Sequence, residues 1–206
     1  MGAGTNRMNI YTVRKATQGL SMYVASLGID AMKKGVVIAY DSRNNSKLFA
    51  NECERVLCAN DIKTYIFNSL RPTPELSFAV RYLNCISGIV ITASHNPKEY
   101  NGYKVYGSDG GQIPPDSAEI ILSYINSVDV FEDVKVVDSH DAEVIGEDVD
   151  RAYIQSVKSE SLKSVIPDDF SVIYTPIHGS GNIPVRTILI LVIRTQKSFT
   201  TPIAGV

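Results

Sequence analysis

The sequence predicts an α/β fold with a mixed, largely parallel sheet sandwiched by helices, followed by an incomplete second α/β domain. Two observations carry this reading. Short β-branched runs alternate with segments of helical period three times within the first 97 residues, as in right-handed strand–helix–strand crossovers. Each run also ends in a polar loop rich in Asp, Asn, Ser, Pro or Gly, the punctuation that alternation requires. At 206 residues with 44 % apolar content, the chain is long enough to bury a full domain core.

After a Gly-rich start, Asn9 is a natural N-cap for a helix running to about Leu27, with Ile10, Val13, Leu20, Val24 and Leu27 on its apolar side and Gly28 as its stop. Val36-Val37-Ile38-Ala39-Tyr40 reads as a strand entering the loop Asp41-Ser42-Arg43-Asn44-Asn45. Ser46 is expected to cap a helix carrying Phe49, Cys53, Val56 and Leu57 and ending near Asn60. Lys63 to Phe67 is the next strand. Pro74 suits the first turn of a helix through Leu83, after the stiff loop Arg71-Pro72-Thr73. Gly88-Ile89-Val90-Ile91 follows as a buried strand and Tyr103 to Tyr106 as a short one. Asp109-Gly110-Gly111 is a tight turn, and Pro114-Pro115-Asp116 opens a helix bearing Ile120, Ile121, Tyr124 and Ile125. A polar stretch from Asp138 to Asp150 leads into a helix from about Asp148 to Leu162. Pro167-Asp168-Asp169 reads as a domain boundary, Val172-Ile173-Tyr174 as a new strand, and Ile188 to Ile193 as a buried strand or as sequence foreign to the domain.

Composition narrows the partners. Twenty basic and 22 acidic residues leave a net charge of −2, so no field draws nucleic acid or an anionic membrane, and a small-molecule substrate is the default. Cys53, Cys58 and Cys85 are odd in number and lack Cys-x-x-Cys spacing, which argues for core thiols in a reducing compartment. The N-terminus lacks the apolar core of a signal peptide, and no run approaches the ~18 apolar residues that would span a bilayer. A cytoplasmic setting is expected.

The chemistry concentrates in Thr92-Ala93-Ser94-His95-Asn96-Pro97 and Asn101-Gly102-Tyr103-Lys104. An apolar strand here delivers one hydroxyl, Ser94, into a polar turn at the carboxyl end of a sheet, where open α/β folds hold their ligands. From the residues alone, Ser94 could be a nucleophile, a phosphoryl carrier or an ordinary turn residue.

These two segments resemble the α-D-phosphohexomutase superfamily of phosphoglucomutases and phosphomannomutases. So do Gly2 to Asn9, Tyr40-Asp41-Ser42-Arg43, Pro72-Thr73-Pro74 and Tyr174-Thr175-Pro176-Ile177-His178-Gly179. The resemblance covers about residues 2 to 188 and looks closest to the bacterial phosphoglucomutase and phosphopentomutase branch. It implies domain I over residues 1–165 with its first strand missing, the start of domain II over 166–188, and a departing tail over 189–206. It implies a phosphoserine isomerase: Ser94 would carry a phosphoryl group, give it to a sugar monophosphate and recover the other phosphoryl from the bisphosphate intermediate. Lys104 matches the general acid/base, His95 and Asn96 would contact phosphoryl oxygens or position the serine, and Arg43 could reach the same pocket. Mg2+ would be bound through the phosphate on Ser94, since a phosphoryl group in flight needs positive charge on its oxygens. Sugar phosphates and bisphosphates are the implied ligands.

The family's Gly-Leu-Arg-Gly-like, Asp-Gly-Asp-x-Asp metal, Glu-rich sugar and Arg-Ser-Gly-Thr-like phosphate segments do not occur in this sequence. The expectation is therefore a truncated product that turns nothing over, or a non-catalytic α/β binding module as the competing reading.

Overall fold

The computed structural model describes residues 1–139, 141–162, 170 and 172–192. They divide into two compact units, with the break between Gly146 and Glu147. The mixed, mostly parallel α/β sheet expected from the sequence lies in the first.

Helix α1 (Ile10–Ser26) starts at Asn9 as expected, where a capping box satisfies two backbone donors: Thr12 N–H donates to Asn9 Oδ1 at 2.9 Å, and Asn9 N–H to Thr12 Oγ1 at 3.1 Å. Gly28, with φ 96°, ends that helix and begins a short one, α2 (Ile29–Lys34), which the sequence pattern did not reveal. Strand β1 (Val36–Tyr40) follows, then α3 (Ser46–Ala59), β2 (Thr64–Phe67), α4 (Thr73–Tyr82) and β3 (Ser87–Ile91). The α3 cap differs from expectation. Asn45 occupies it with φ 63°, and the Ser46 hydroxyl turns away to other partners described below.

Strand β4 (Tyr103–Gly107) runs antiparallel to β3, and α5 (Pro115–Ser127) begins at the expected prolines. A three-residue strand, β5 (Glu143–Ile145), lies inside the stretch read as polar loop; it forms because Tyr65, Ile66 and Phe67 of β2 offer it a parallel ladder. The sheet order is β4-β3-β1-β2-β5. On one face Val36, Ile38, Tyr40, Ile66, Ile89 and Ile91 meet the apolar sides of α1 and α3 around Leu20, Phe49 and Cys53. Alternation turns Val37, Ala39 and Val90 to the other face, which α4 covers. A Cβ on Gly88 would stand 2.6 Å from Val80 Cγ2, so this glycine sets how closely α4 approaches β3.

In the second unit α6 (Glu147–Ser159) packs with α7 (Asn182–Val192). Two expectations are corrected here. Residues 172–176 form no strand, since no described residue pairs with them, and the apolar run from Ile188 to Val192 is helical within α7. The Pro167-Asp168-Asp169 boundary lies outside the described residues.

Candidate active site

Parallel strands β1, β2 and β3 end on the same side of the sheet, so the loops at Asp41, Asn68 and Thr92 gather there, and β4 begins there. The serine loop leaves β3 through buried Thr92 and Ala93 and then surfaces at Ser94. Ser94 has φ 59°, the left-handed region that a non-glycine residue adopts only when its surroundings hold it. Thr92 Oγ1 accepts from Ser94 N–H at 3.1 Å, and a turn closes with Asn96 N–H on Ala93 O at 3.2 Å. The reversal leaves the Ser94 hydroxyl facing solvent. Its neighbour is His95 Nδ1, 3.3 Å away, which accepts the hydroxyl proton in the tautomer protonated on Nε2.

Asn96, expected to contact phosphoryl oxygens or to position the serine, donates its side-chain amide to Ala93 O at 2.9 Å and so caps the turn. Arg43 lies against the same loop. Its Nε donates to Asp41 Oδ2 at 2.9 Å, Nη1 to Asn96 O at 2.6 Å and Pro97 O at 2.7 Å, and Nη2 to Ser94 O. Lys104 sits on β4 in register with Val90, on the α4 face of the sheet, half-buried, its side chain without a hydrogen bond or ion pair among the described residues.

The return of the loop is as closely built. Thr92 N–H donates to Gly102 O at 3.0 Å, and a Cβ on Gly102 would stand 2.6 Å from Thr92 O, so only glycine lets the two chain ends meet. Asn101, buried at 2 % exposure, donates to Asn44 O at 2.6 Å and accepts from Ser46 Oγ at 2.8 Å, while Asp41 Oδ1 lies 2.7 Å from the same hydroxyl. Asp41, Ser46 and Asn101 were not singled out from the sequence as site residues. Positions 46 and 101 are too far apart for spacing to connect them.

Buried Arg71, after β2, donates to Leu70 O at 2.8 Å and lies over the Phe67 ring, and its charge opposes the rise that burial imposes on the Tyr40 hydroxyl. Among the described residues, no group of three or more His, Cys, Asp or Glu side chains gathers that could hold a metal ion. Among them, too, no helix is long and apolar enough to cross a membrane.

Fold and loop together define an α/β domain that presents one serine hydroxyl at the carboxyl edge of its sheet. Residues 1–131 match the family described as phosphoglucomutase/phosphomannomutase, alpha/beta/alpha domain I, and the chain belongs to that family. It is 40 % identical over 186 residues to a phosphoglucomutase of Staphylococcus saprophyticus, and 36 % over 188 residues to one of Staphylococcus haemolyticus. Each match covers 87 % of this chain and 33 % of the relative, so the chain spans about a third of the length of these proteins. The fold is shared with a Thermus thermophilus protein assigned as a phosphomannomutase, at TM-score 0.71 and 23 % identity, over 94 % of this chain and 45 % of that one. It is shared also with the open form of parafusin, a Paramecium phosphoglucomutase, at TM-score 0.66 and 21 % identity, over 90 % of this chain and 38 % of that one.

Proposed function

We propose that this chain carries the phosphoserine of a phosphoglucomutase-type isomerase that interconverts hexose 1-phosphate and hexose 6-phosphate through a bisphosphate. The observation that carries the proposal is Ser94 itself, left-handed, solvent-facing and 3.3 Å from a histidine nitrogen at the carboxyl edge of the sheet. The family membership and the phosphoglucomutase relatives support the substrate class.

In the charging step Ser94 Oγ attacks a phosphorus of the sugar bisphosphate. The Oγ–P bond forms, the P–O bond to the sugar breaks, the hydroxyl proton passes to His95 Nδ1, and the leaving sugar oxygen takes its proton from Lys104. In the forward step a sugar hydroxyl takes the phosphoryl from Ser94 and gives its proton to Lys104, whose place on β4 puts it at the same end of the sheet, while the Oγ–P bond breaks and Ser94 Oγ recovers its proton from His95. Positioning and charge stabilisation are what such a transfer asks of a protein, more than covalent chemistry of its own. Asn96 keeps the turn closed beneath the hydroxyl. The free thiols Cys53, Cys58 and Cys85 support the cytoplasmic setting that sugar phosphate chemistry implies.

Incubating the chain with glucose 1,6-bisphosphate and Mg2+ and measuring intact mass tests the charging step. One phosphate is expected, located on Ser94 by peptide mapping and lost in Ser94→Ala. A wild-type chain that gains none, or gains it elsewhere, overturns the proposal.

A further inference from the structure

We propose that the loop after β1 is a brace that sets the conformation of Ser94, with Arg43 as its positioning residue; this rests on reading Ser94 as the phosphoryl acceptor. The observation is where the guanidinium spends its donors. Nη2 reaches Ser94 O, Nη1 reaches Asn96 O and Pro97 O, and Nε is held by Asp41. One planar fork thus reaches four carbonyls of the serine loop, starting with that of the left-handed residue itself and ending, at 3.5 Å, with that of Tyr100.

The Arg43 side chain is only 9 % exposed, although it arises from a surface loop. Its charge is met by Asp41 Oδ2 at 2.9 Å and by the carbonyl dipoles. To reach a phosphate instead, the guanidinium would have to abandon all of these acceptors together with the Asp41 carboxylate. All of these contacts fall on the chain behind Ser94 and none on Oγ, so the brace leaves the nucleophile free to react.

A second set of bonds fixes the register between the two loops. Asn44 N–H donates to Lys98 O at 3.1 Å, Asn101 Nδ2 to Asn44 O at 2.6 Å, and the Ser46 hydroxyl lies between Asp41 Oδ1 and Asn101 Oδ1. The brace therefore holds the serine loop at its crest through Arg43 and at its return through Asn101. A positive φ at a serine survives only where such surroundings over-determine it, and here they are polar groups aimed at backbone. Lysine cannot substitute, because one ammonium does not reproduce a planar fork.

Hydrogen–deuterium exchange of the full chain without phosphate, together with the kinetics of Ser94 charging by glucose 1,6-bisphosphate, tests the brace. Arg43→Ala and Arg43→Lys are both expected to speed exchange across residues 92–102 by about tenfold or more, with α1 protection unchanged. The maximal charging rate should fall by about 100-fold while the half-saturating bisphosphate concentration moves by less than about threefold, the signature of a displaced nucleophile. Unchanged exchange in the loop, or a raised half-saturating concentration with the maximal rate intact, overturns the proposal, and the second result makes Arg43 a phosphate ligand. Should Arg43→Ala lose α1 protection, Asp41→Asn, which frees Nε, carries the same readouts. A wild-type chain that takes no phosphate sinks the reading of Ser94, and the exchange data still decide the brace.

Discussion

Two stretches of this chain share a pattern and part in structure. Ile89-Val90-Ile91 runs into Thr92-Ala93-Ser94-His95, and Val172-Ile173-Tyr174 runs into Thr175-Pro176-Ile177-His178. Both turn through a left-handed residue, Ser94 at φ 59° and Ile177 at φ 49°. The first is a buried strand with β1 on one side, β4 on the other and α4 above it. The second forms no strand among the described residues, and Ile173 is 86 % exposed. A run of three β-forming residues is thus permission to be a strand. Ladders on both edges and a helix layer turn the permission into structure.

The sharpest way to break this comparison is to shorten the same residue type in both places. Ile89→Ala removes a fully buried side chain and should cost about 2–5 kcal/mol in urea unfolding followed by circular dichroism. Ile173→Ala should change stability by less than about 0.5 kcal/mol, because little is buried to lose. Equal costs would mean that residue 173 has a packed environment after all. Gly102→Ala comes next, at about 1–3 kcal/mol, since its methyl would sit 2.6 Å from Thr92 O at the point where the serine loop closes. An alanine variant with wild-type stability would show that the loop closes by another route.

These contrasts also mark how much of the molecule its sequence discloses. The fold class, the Asn9 cap, β1 and the prolines of α4 and α5 are legible because each is decided by neighbours within a few residues. The strand β5 is not, because Glu143-Val144-Ile145 becomes a strand only against β2, far earlier in the chain. The site divides in the same way. Ser94, His95 and Lys104 stand out by motif. Ser46 looks like a helix cap, the local role its residue type favours, until Asn101 arrives from 55 residues away to accept its proton. Arg43 is legible as a cation near the serine, but which of its possible acceptors it takes depends on the left-handed turn that aims the Ser94 carbonyl at it.

Smaller effects sharpen the comparison of the two left-handed residues. Ser94→Gly removes the Cβ that makes φ 59° unfavourable and should stabilise the chain by about 1 kcal/mol, seen as a higher melting temperature, while abolishing charging from glucose 1,6-bisphosphate. Stability gained as the acceptor is lost would show strain stored for function. A lower melting temperature would instead mean that the Ser94 side chain supports the loop.

The smallest change expected at neutral pH is Tyr103→Phe. Tyr103 packs against the core with its hydroxyl buried and without a hydrogen-bond partner among the described residues. Neighbouring Thr17 spends its own hydroxyl proton on Val13 O at 2.8 Å. Losing an orphaned hydroxyl removes a desolvation cost, so the variant should match or exceed wild-type stability by up to about 1 kcal/mol. The pH dependence is the stronger test. Burial, with the nearby Cys53 thiol, pushes the Tyr103 hydroxyl well above the ordinary tyrosine value of 10.0. The folded chain then keeps its proton while the unfolded chain releases one. Stability from this group is complete below pH 10 and is lost as pH rises beyond it, towards the folded-state value. Phenylalanine has no such loss, so the advantage of Tyr103→Phe should widen above pH 10 in urea titrations, the buried thiols contributing equally to both proteins. An advantage that stays flat with pH would place the Tyr103 hydroxyl in contact with water.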